Sequence, residues 1–354
     1  MTPDEAFSMR ALYEATRRAA REKRARPAVA RFWLDLPTQL VTLRDALRAG
    51  RWQPATPKLF RVNDPKPRVI SVLPFGDRVV HQALWAVIAP RVERRLITDT
   101  YACRVGLGTH AALRRATAWA RAYRYYAHLD VARFFPSVDH AIVREHIARD
   151  LREPWLRAMC DRILRAGVTE VHRAHFPGDE LFTPFERDVG LPLGNLTSQL
   201  WANRYLDPVD HFVKETLRLR PYLRYMDDML LFGDDRAALA AAARAVEERC
   251  WALRLRLHPY DVRPTREGVS FVGYRILRDH VRVRRSTVAR AERRLQAKVV
   301  AMERGEITPQ AMMASLRATF GHWKHAATWR LRLRTLRRIG LDDDPLWWTH
   351  DTRE

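Results

Sequence analysis

The sequence contains little cysteine. Its 354 residues include three, Cys103, Cys160 and Cys250, which stand far apart without the paired Cys and His spacing of a zinc module. A chain of this length can bury a large core, or two to three subdomains, without disulfides. We therefore expect neither a disulfide framework nor a structural zinc site, and a reducing cytosol suits the chain.

Long apolar runs are also missing. The first residues carry Asp4 and Glu5 instead of a continuous apolar core, and no later run approaches the length of a membrane span. An amphipathic, Trp-anchored, lysine-rich segment of the kind that lies on membranes is absent as well. We expect a cytoplasmic protein that is neither exported nor inserted into a membrane.

Acidic residues are outnumbered. The chain has 63 Lys and Arg against 41 Asp and Glu, a formal net charge of +22. Such an excess favours a polyanionic partner, and nucleic acid is the natural candidate. A generally basic surface from Arg-rich coding is the plainer explanation, and charge alone does not separate the two.

Two of these scarce acids lie side by side in an apolar stretch. Residues 223–234 are apolar on both sides of Asp227 and Asp228 and show no helical period, which predicts two short strands joined by a tight turn. Adjacent carboxylates repel each other, and a hard divalent cation such as Mg²⁺ relieves that repulsion. A solvated Asp-Asp turn is the commoner occurrence, so a metal site requires a third carboxylate.

Asp130 supplies that third carboxylate. Residues 125–131 have the apolar and aromatic content of a buried strand, and Asp130 falls near its end, where an uncompensated charge is costly. We expect distant strands to bring Asp130 beside Asp227 and Asp228. Three such carboxylates can hold two metal ions for an in-line phosphoryl displacement.

These segments, in this order, resemble the motifs of reverse transcriptases over roughly residues 12–326. The resemblance is closest to the reverse transcriptases of diversity-generating retroelements, through residues 66–68 (Lys-Pro-Arg), 73–81, 101–104 and 193–199. It implies an α+β right-hand polymerase fold with fingers, a palm with an antiparallel sheet plus helices, and a helical thumb. The implied divisions are a basic helical extension at residues 1–58, fingers and palm at 59–275, and a helical thumb and tail at 276–354.

The resemblance also implies roles for particular residues. Catalysis falls to Asp130, Asp227 and Asp228, and with the Val131 carbonyl they would bind two Mg²⁺ ions, or Mn²⁺ in their place. The residues expected to bind the nucleotide are Lys66, Arg68, Phe135, Leu193, Gly194 and Gln199. The residues expected to contact nucleic acid are Arg104, Tyr225, Met226, Phe271, Gly273, Tyr274, His322 and Lys324.

Two positions predict specificity. Phe135 is bulky enough to exclude a ribose 2′-hydroxyl and so favours deoxynucleotides, while Phe134 packs in the core, because strand pleating would direct the two rings to opposite faces. Leu193 stands where most reverse transcriptases have a glutamine, and losing that amide should weaken discrimination between correct and incorrect pairs. The resemblance to diversity-generating enzymes implies error-prone copying, with errors opposite template adenines.

One expected residue is missing. Residues 257–262 occupy the place where many relatives have a lysine that can protonate the leaving pyrophosphate, and they contain no lysine. His258, Arg256 or water could take that role. The implied partners are template RNA, cDNA, dNTPs and a small basic helical accessory protein, and no segment is left for an RNase H or endonuclease domain.

Local patterns predict the flanking elements. We expect helices over about residues 3–26 and 37–49, and a finger hairpin from 59–62 and 68–74. In the thumb, we expect Ser286 and Thr308 as N-caps, Gly321 as an interruption and Gly340 as a stop. Packing of Trp323 in the core competes with its stacking on nucleic acid.

Two other functions remain open. One is a different bacterial reverse transcriptase, for example an antiphage-defence enzyme, with the same chemistry and a different product. The other is a non-catalytic RNA-binding protein on a polymerase scaffold, against which the three intact acids argue.

Overall fold

The structure is a computed structural model that describes residues 1–63, 67–167 and 170–341. The helices are α1 (Pro3–Ala6), α2 (Met9–Ala20), α3 (Pro27–Leu34), α4 (Leu36–Arg48), α5 (Phe75–Glu93), α6 (Thr109–Ala122), α7 (Phe134–Ser137), α8 (His140–Asp150), α9 (Pro154–Ala166), α10 (Thr183–Glu186), α11 (Leu196–His211), α12 (Arg236–Ala252), α13 (Arg285–Glu303), α14 (Pro309–Trp323) and α15 (Trp329–Arg338). The strands are β1 (Lys58–Val62), β2 (Arg68–Val72), β3 (Tyr125–Asp130), β4 (Tyr222–Tyr225), β5 (Asp228–Gly233), β6 (Val262–Pro264), β7 (Val269–Phe271), β8 (Tyr274–Ile276) and β9 (Val281–Val283).

The N-terminal segment is not the single helix expected over residues 3–26. Phe7 is fully buried and ends α1, and the Ser8 hydroxyl then caps α2 by accepting the Ala11 N–H at 3.3 Å. Residues 21–26 form turns instead of helix, with Glu22 at a φ of +58°. Helix α3 follows, and the sequence analysis did not predict it. It begins at Pro27, since proline suits the first position of a helix.

The strands form three sheets. Strands β1 and β2 make the expected finger hairpin, with Lys58 opposite Val72 and Val62 opposite Arg68. The second sheet has the order β4-β5-β3-β6, and β3 and β6 are antiparallel. The third sheet has the order β7-β8-β9, also antiparallel.

The C-terminal helices differ from expectation at two points. Helix α13 begins at Arg285 and not after Ser286, because the Arg284 N–H already donates to the Gly273 carbonyl at 3.0 Å and fixes the chain there. Helix α14 runs through Gly321 without interruption, since a single glycine weakens a helix without ending it. The cap at Thr308 is confirmed, and Gly340, with a φ of +72°, follows α15 as expected.

The chain divides into two compact units. Unit 1 comprises residues 1–106, 129–229 and 242–260, and unit 2 comprises residues 107–128, 230–241 and 261–354. The division into fingers, palm and thumb by residue number stays a prediction. Among the described residues, no helix is both long and apolar enough to cross a bilayer.

Candidate active site

The expected acidic turn is present. Strand β4 ends at Tyr225 and β5 begins at Asp228, so Met226 and Asp227 form the loop between them. Met226 has a φ of +58°, which is a strained conformation for a residue with a side chain. The Arg224 guanidinium donates to the Met226 carbonyl at 3.0 Å and holds this turn in place.

A buried ion pair supports the acidic turn. The side chains of Arg224 and Asp210 are both fully buried, and Arg224 Nη2 donates to Asp210 Oδ2 at 2.6 Å. Asp210 also accepts from the hydroxyls of Tyr222, at 2.7 Å, and Thr100, at 2.8 Å. Asn203 accepts from the remaining guanidinium N–H groups through its side-chain and backbone oxygens, so this network fixes where the acidic turn lies.

Arg224 and Asp210 are positioning residues that the sequence analysis missed. The signal was available, because an arginine in the middle of an apolar strand requires an acidic partner. The identity of that partner was not available, since nothing in the spacing links residue 210 on α11 with residue 224 on β4.

Asp130 is held at the end of β3 by backbone contacts. The His258 N–H donates to the Asp130 carbonyl at 2.8 Å, and the Ala132 N–H donates to the Arg256 carbonyl at 2.8 Å. Val131 is buried and forms an antiparallel bridge with Leu257. This pairing fixes the backbone on both sides of the acid.

The pKa of Asp227 depends on the charges of the other two acids. Burial raises the pKa of Asp227 to about 6, and the negative charges of Asp228 and Asp130 add to that rise. A backbone hydrogen bond and the positive charge of Arg68 act in the opposite direction. An ionised Asp227 is therefore costly in the free protein, and a cation placed among these carboxylates would remove the cost.

The three acids do not form a closed metal cage. In residues 1–63, 67–167 and 170–341, no group of three or more His, Cys, Asp and Glu side chains is arranged to hold a metal ion. Mg²⁺ typically takes one or two protein carboxylates and completes its shell with water and substrate phosphates. The carboxylates of Asp130 and Asp228, whose charges raise the pKa of Asp227, fit such a partial shell.

The predicted nucleotide-binding residues lie on two segments that touch. The Ser71 N–H donates to the Leu193 carbonyl at 2.7 Å, and Ile70 and Leu193 form a parallel bridge. A Cβ on Gly194, whose φ is +108°, would lie 2.6 Å from the Ser71 carbonyl oxygen, so only glycine fits this approach. Arg68 is exposed at the start of β2, whereas Lys66 lies outside the described residues.

Phe135 and Gln199 lie on helices α7 and α11. Phe134 and Phe135 lie in the short helix α7, so the expectation that strand pleating separates their rings is wrong. The separation of roles still has structural support, because Phe134 is buried and Phe135 is half-buried, with their ring centroids 5.6 Å apart. Gln199 is half-buried in the first turn of α11.

The residues expected to contact the primer meet in unit 2. Phe271 ends β7 and Tyr274 begins β8, and Gly273 between them has a φ of +90°. The Tyr274 hydroxyl donates to the His322 carbonyl at 2.5 Å and lies 3.1 Å from His322 Nδ1. Lys324 is exposed, whereas Trp323 is 1% exposed, which places its ring in the core.

Three further predicted contacts lie in unit 1. Tyr225 and Met226 are half-buried at the acidic turn. The Arg104 guanidinium donates to the carbonyls of Ile97, at 2.8 Å, and Thr100, at 2.9 Å. These hydrogen bonds give Arg104 a structural role, and its contact with nucleic acid stays a prediction.

Of the candidates for the missing lysine, His258 is the better placed. It is exposed and follows Leu257, which pairs with Val131 next to Asp130. Arg256 is engaged elsewhere, since it donates to the His175 carbonyl at 2.5 Å and lies over the Phe176 ring at 5.4 Å.

A sheet that presents two acids at a hairpin turn and a third at the end of a neighbouring strand, together with a finger hairpin, defines a right-hand nucleic-acid polymerase. The profile of the reverse transcriptase (RNA-dependent DNA polymerase) family matches residues 61–276, more than half of the chain. The chain therefore belongs to the reverse transcriptase family, and RNA-directed DNA polymerase is the activity of that family. The predicted fold class is confirmed.

Individual relatives are distant. The chain is 23% identical to Protein YkfC of Escherichia coli over 70% of this chain and 73% of that protein. It is 21% identical to a Saccharomyces cerevisiae protein named for intron 1 of COX1/OXI3, over 45% of this chain and 18% of that protein. Telomerase of Candida albicans, solved with a fragment of telomeric RNA, superposes with a TM-score of 0.50 at 10% identity, over 82% of this chain and 55% of the other, and shows the fold alone.

Proposed function

We propose that this protein copies an RNA template into cDNA by two-metal nucleotidyl transfer from dNTPs. The observation that carries the proposal is the placement of Asp227 and Asp228 at the turn between β4 and β5 and of Asp130 at the end of β3, the strand next to β5. Burial and the charges of Asp228 and Asp130 raise the pKa of Asp227, and the positive charge of Arg68 acts on it in the opposite direction. A carboxylate that is costly to ionise in the free protein gains most from divalent cations and a bound triphosphate.

Different residues of the chain would bind the metal ions, bind the triphosphate and select the sugar. Asp130, Asp227, Asp228 and the Val131 carbonyl would hold two Mg²⁺ ions, whose chemistry when bound is to activate the primer 3′-hydroxyl and to neutralise charge on the leaving pyrophosphate. Arg68 offers charge-assisted hydrogen bonds to the triphosphate. The Phe135 ring fills the space that a ribose 2′-hydroxyl would need.

Replacement of Asp227 tests the metal assignment. Asp227→Ala should lower Mg²⁺-dependent primer extension on an RNA template by roughly 10³-fold, because several kcal/mol of charge stabilisation are lost. Affinity for RNA in the absence of Mg²⁺ should stay close to that of the wild type. The matched control is Glu248→Ala, an exposed acid on α12 that should extend primers normally. Retained synthesis by Asp227→Ala would refute the assignment.

We further propose error-prone copying at template adenines, as in diversity-generating retroelements. Leu193 supports this proposal, because its side chain cannot make the amide hydrogen bonds that reward a correctly formed pair. Leu193→Gln should reduce misincorporation opposite adenine by about tenfold, measured by sequencing the cDNA. Wild-type errors spread evenly over all four template bases would instead favour another bacterial reverse transcriptase, such as a defence enzyme.

The proposed setting is the cytosol, with a structured template RNA and a small basic helical accessory protein as partners. The three free cysteines agree with a reducing compartment, since Cys160 and Cys250 are buried and Cys103 is exposed. Co-purification from the native host would test the accessory protein, because a small basic helical protein should be retained at moderate salt.

A further inference from the structure

Unit 2 contains a large groove that the polymerase chemistry does not use. Its volume is about 800 Å³, and it lies where α6 ends, β3 begins and β6 turns into the segment before β7. We call it the basic groove and define it by the lining residues Arg121, Tyr123, Arg124, Tyr125, Arg266 and Arg278.

The basic groove carries a concentrated positive charge. Its four arginines are exposed, and Asp234 is the acid among the residues that line it. Asp234 accepts the backbone N–H of Arg124 at 3.0 Å, so that carboxylate is engaged with the wall of the groove. The Arg121 guanidinium donates to the Asp279 carbonyl at 3.2 Å, a neutral group that leaves its charge available. Charge of this kind attracts the phosphates of a nucleic acid.

Two tyrosines interleave with the arginines. Tyr123 has an extended backbone, with φ −113° and ψ 152°, and Tyr125 is the first residue of β3. Arg124 between them is at a bend of the backbone, and both tyrosines line the basic groove. Both rings are half-buried, so each has a packed part and an accessible part. Alternating rings and cations suit bases stacked along a strand whose phosphates contact arginine.

The walls of the basic groove are fixed by secondary structure. Tyr125 is paired with Pro264 in the β3–β6 ladder, and the Thr265 hydroxyl donates to the Tyr123 carbonyl at 2.7 Å. A rigid site loses little conformational freedom on binding, which favours affinity.

The basic groove is separate from the residues assigned to the reaction. Strand β3 begins at Tyr125 and ends at Asp130, five residues or about 17 Å further along the strand. On the β7–β8 hairpin, Gly273 lies at the closed turn, whereas Arg266 precedes β7 and Arg278 follows β8 at the opposite end. The residues expected to contact the primer therefore lie at one end of this hairpin and the basic groove at the other.

We propose that the basic groove is a second, non-catalytic binding site for single-stranded RNA. Its chemistry would hold an unpaired segment of RNA by four phosphate contacts and by stacking on Tyr123 and Tyr125. A duplex would leave these rings without exposed base faces, and a membrane surface would not use them for stacking.

The charge contribution is tested by the salt dependence of RNA binding, measured without Mg²⁺ and dNTPs. The probe is a labelled single-stranded RNA of roughly 16 nucleotides, the upper end for one binding fold. The quadruple variant Arg121→Ala/Arg124→Ala/Arg266→Ala/Arg278→Ala should reduce the slope of log K against log salt by about 3, from four lost phosphate contacts. Primer extension on a short template should stay within about twofold of the wild type, which separates this site from the proposed active site.

The matched control removes the same charge from unit 1. Arg31→Ala/Arg94→Ala/Arg218→Ala/Arg249→Ala replaces four exposed arginines outside the basic groove and should leave the slope nearly unchanged. Equal losses in both quadruple variants would mean that bulk charge binds the RNA and would overturn the proposal. So would a groove variant that keeps the RNA slope and loses binding to anionic phospholipid vesicles, which would indicate a membrane surface.

Stacking is tested separately. Tyr123→Ala/Tyr125→Ala should weaken RNA binding at least about tenfold, whereas Tyr123→Phe/Tyr125→Phe keeps the rings and should restore it. If the phenylalanine pair binds as weakly as the alanine pair, stacking does not hold the RNA and the proposal fails. Catalytically inactive Asp227→Ala protein should bind the probe with the wild-type slope, so loss of polymerase activity and loss of this site give different results.

Discussion

Arg224 and Asp227 lie three residues apart on one hairpin, but the surroundings of their charges differ. Arg224 is fully buried, and its guanidinium donates to Asp210, to both oxygens of Asn203 and to the Met226 carbonyl. Asp227 is half-buried, and its nearest charged neighbours include two further acids, which raise its pKa. The charge of Arg224 is compensated within the protein, whereas the charge of Asp227 would be stabilised by a bound cation.

The contrast separates support from function. A charge that is matched inside the fold has nothing left to offer a ligand, and its value is to fix the geometry of the turn. A charge that the fold leaves partly unmatched costs stability and gains it back on binding, as functional sites often do. The Arg224 network therefore holds Asp227 in a position where its own ionisation is unfavourable.

Removing the compensated charge should have the largest effect on stability. Arg224→Met leaves Asp210 buried without its counter-ion, and we expect a loss of about 3–5 kcal/mol in the free energy of unfolding. Urea denaturation followed by circular dichroism measures this loss. The control Arg249→Met removes an exposed arginine from α12 and should change stability by less than about 0.5 kcal/mol.

A second substitution sharpens the interpretation. If the lost stability comes from the Asp210 carboxylate that Arg224→Met leaves buried without its counter-ion, then adding Asp210→Asn to this variant should recover part of the stability. A single variant as stable as the control would mean that the buried pair does not support the turn.

The sequence predicted the acids at the strand ends better than the buried ion pair. Asp130, Asp227 and Asp228 stand out because carboxylates at the ends of apolar strands have no other evident use. The same reasoning applied to Arg224 identifies a buried cation but not its partner, because Asp210 comes from a helix that only the tertiary fold brings beneath the hairpin. Turn and cap details failed for a related reason: the start of α13 is set by the Arg284–Gly273 backbone hydrogen bond, a contact that no local pattern contains.

Removing the unmatched charge should increase stability when no metal is present. The pKa of Asp227 is raised from 3.8 to about 6, so the native state favours the protonated form, and the stability this provides is lost as the pH rises through about 6. Asp227→Asn imitates the neutral form. At pH 7.5 in EDTA it should be more stable than wild type by about 1 kcal/mol, a value discounted for solvent screening of a half-buried group.

The pH dependence distinguishes this effect from better packing. The advantage of Asp227→Asn should shrink below pH 6 and vanish below about pH 3, where wild-type Asp227 is protonated in both states. Mg²⁺ should raise the melting temperature of the wild type and leave that of Asp227→Asn nearly unchanged. A pH-independent advantage would show that the carboxylate charge is not its source.

Unit 2 contains three histidines whose pKa values are shifted in the direction opposite to that of Asp227. The rings of His110 and His325 stack with centroids 3.6 Å apart, His322 lies 6.0 Å from His110, and His110 Nε2 is buried without a hydrogen-bond partner. Burial lowers the pKa of each histidine below 6.5, and neighbouring positive charges, including Lys324, add to this for His110 and His325. The free protein therefore favours neutral rings, and a phosphate placed against them would favour protonation.

The smallest predicted effect follows from this cluster. Because phosphate binding would be coupled to proton uptake, affinity for an RNA–DNA duplex should rise by roughly three- to tenfold between pH 7.5 and pH 6. His110→Gln/His322→Gln/His325→Gln should flatten that profile while keeping most of the affinity at pH 7.5, where the rings are neutral. The control His175→Gln replaces an exposed histidine of unit 1 and should keep the wild-type profile. If the wild-type affinity does not change with pH, these histidines are packed side chains that do not contact phosphate. They would then resemble Asp227 in having neighbours of like charge, but not in binding a charged ligand.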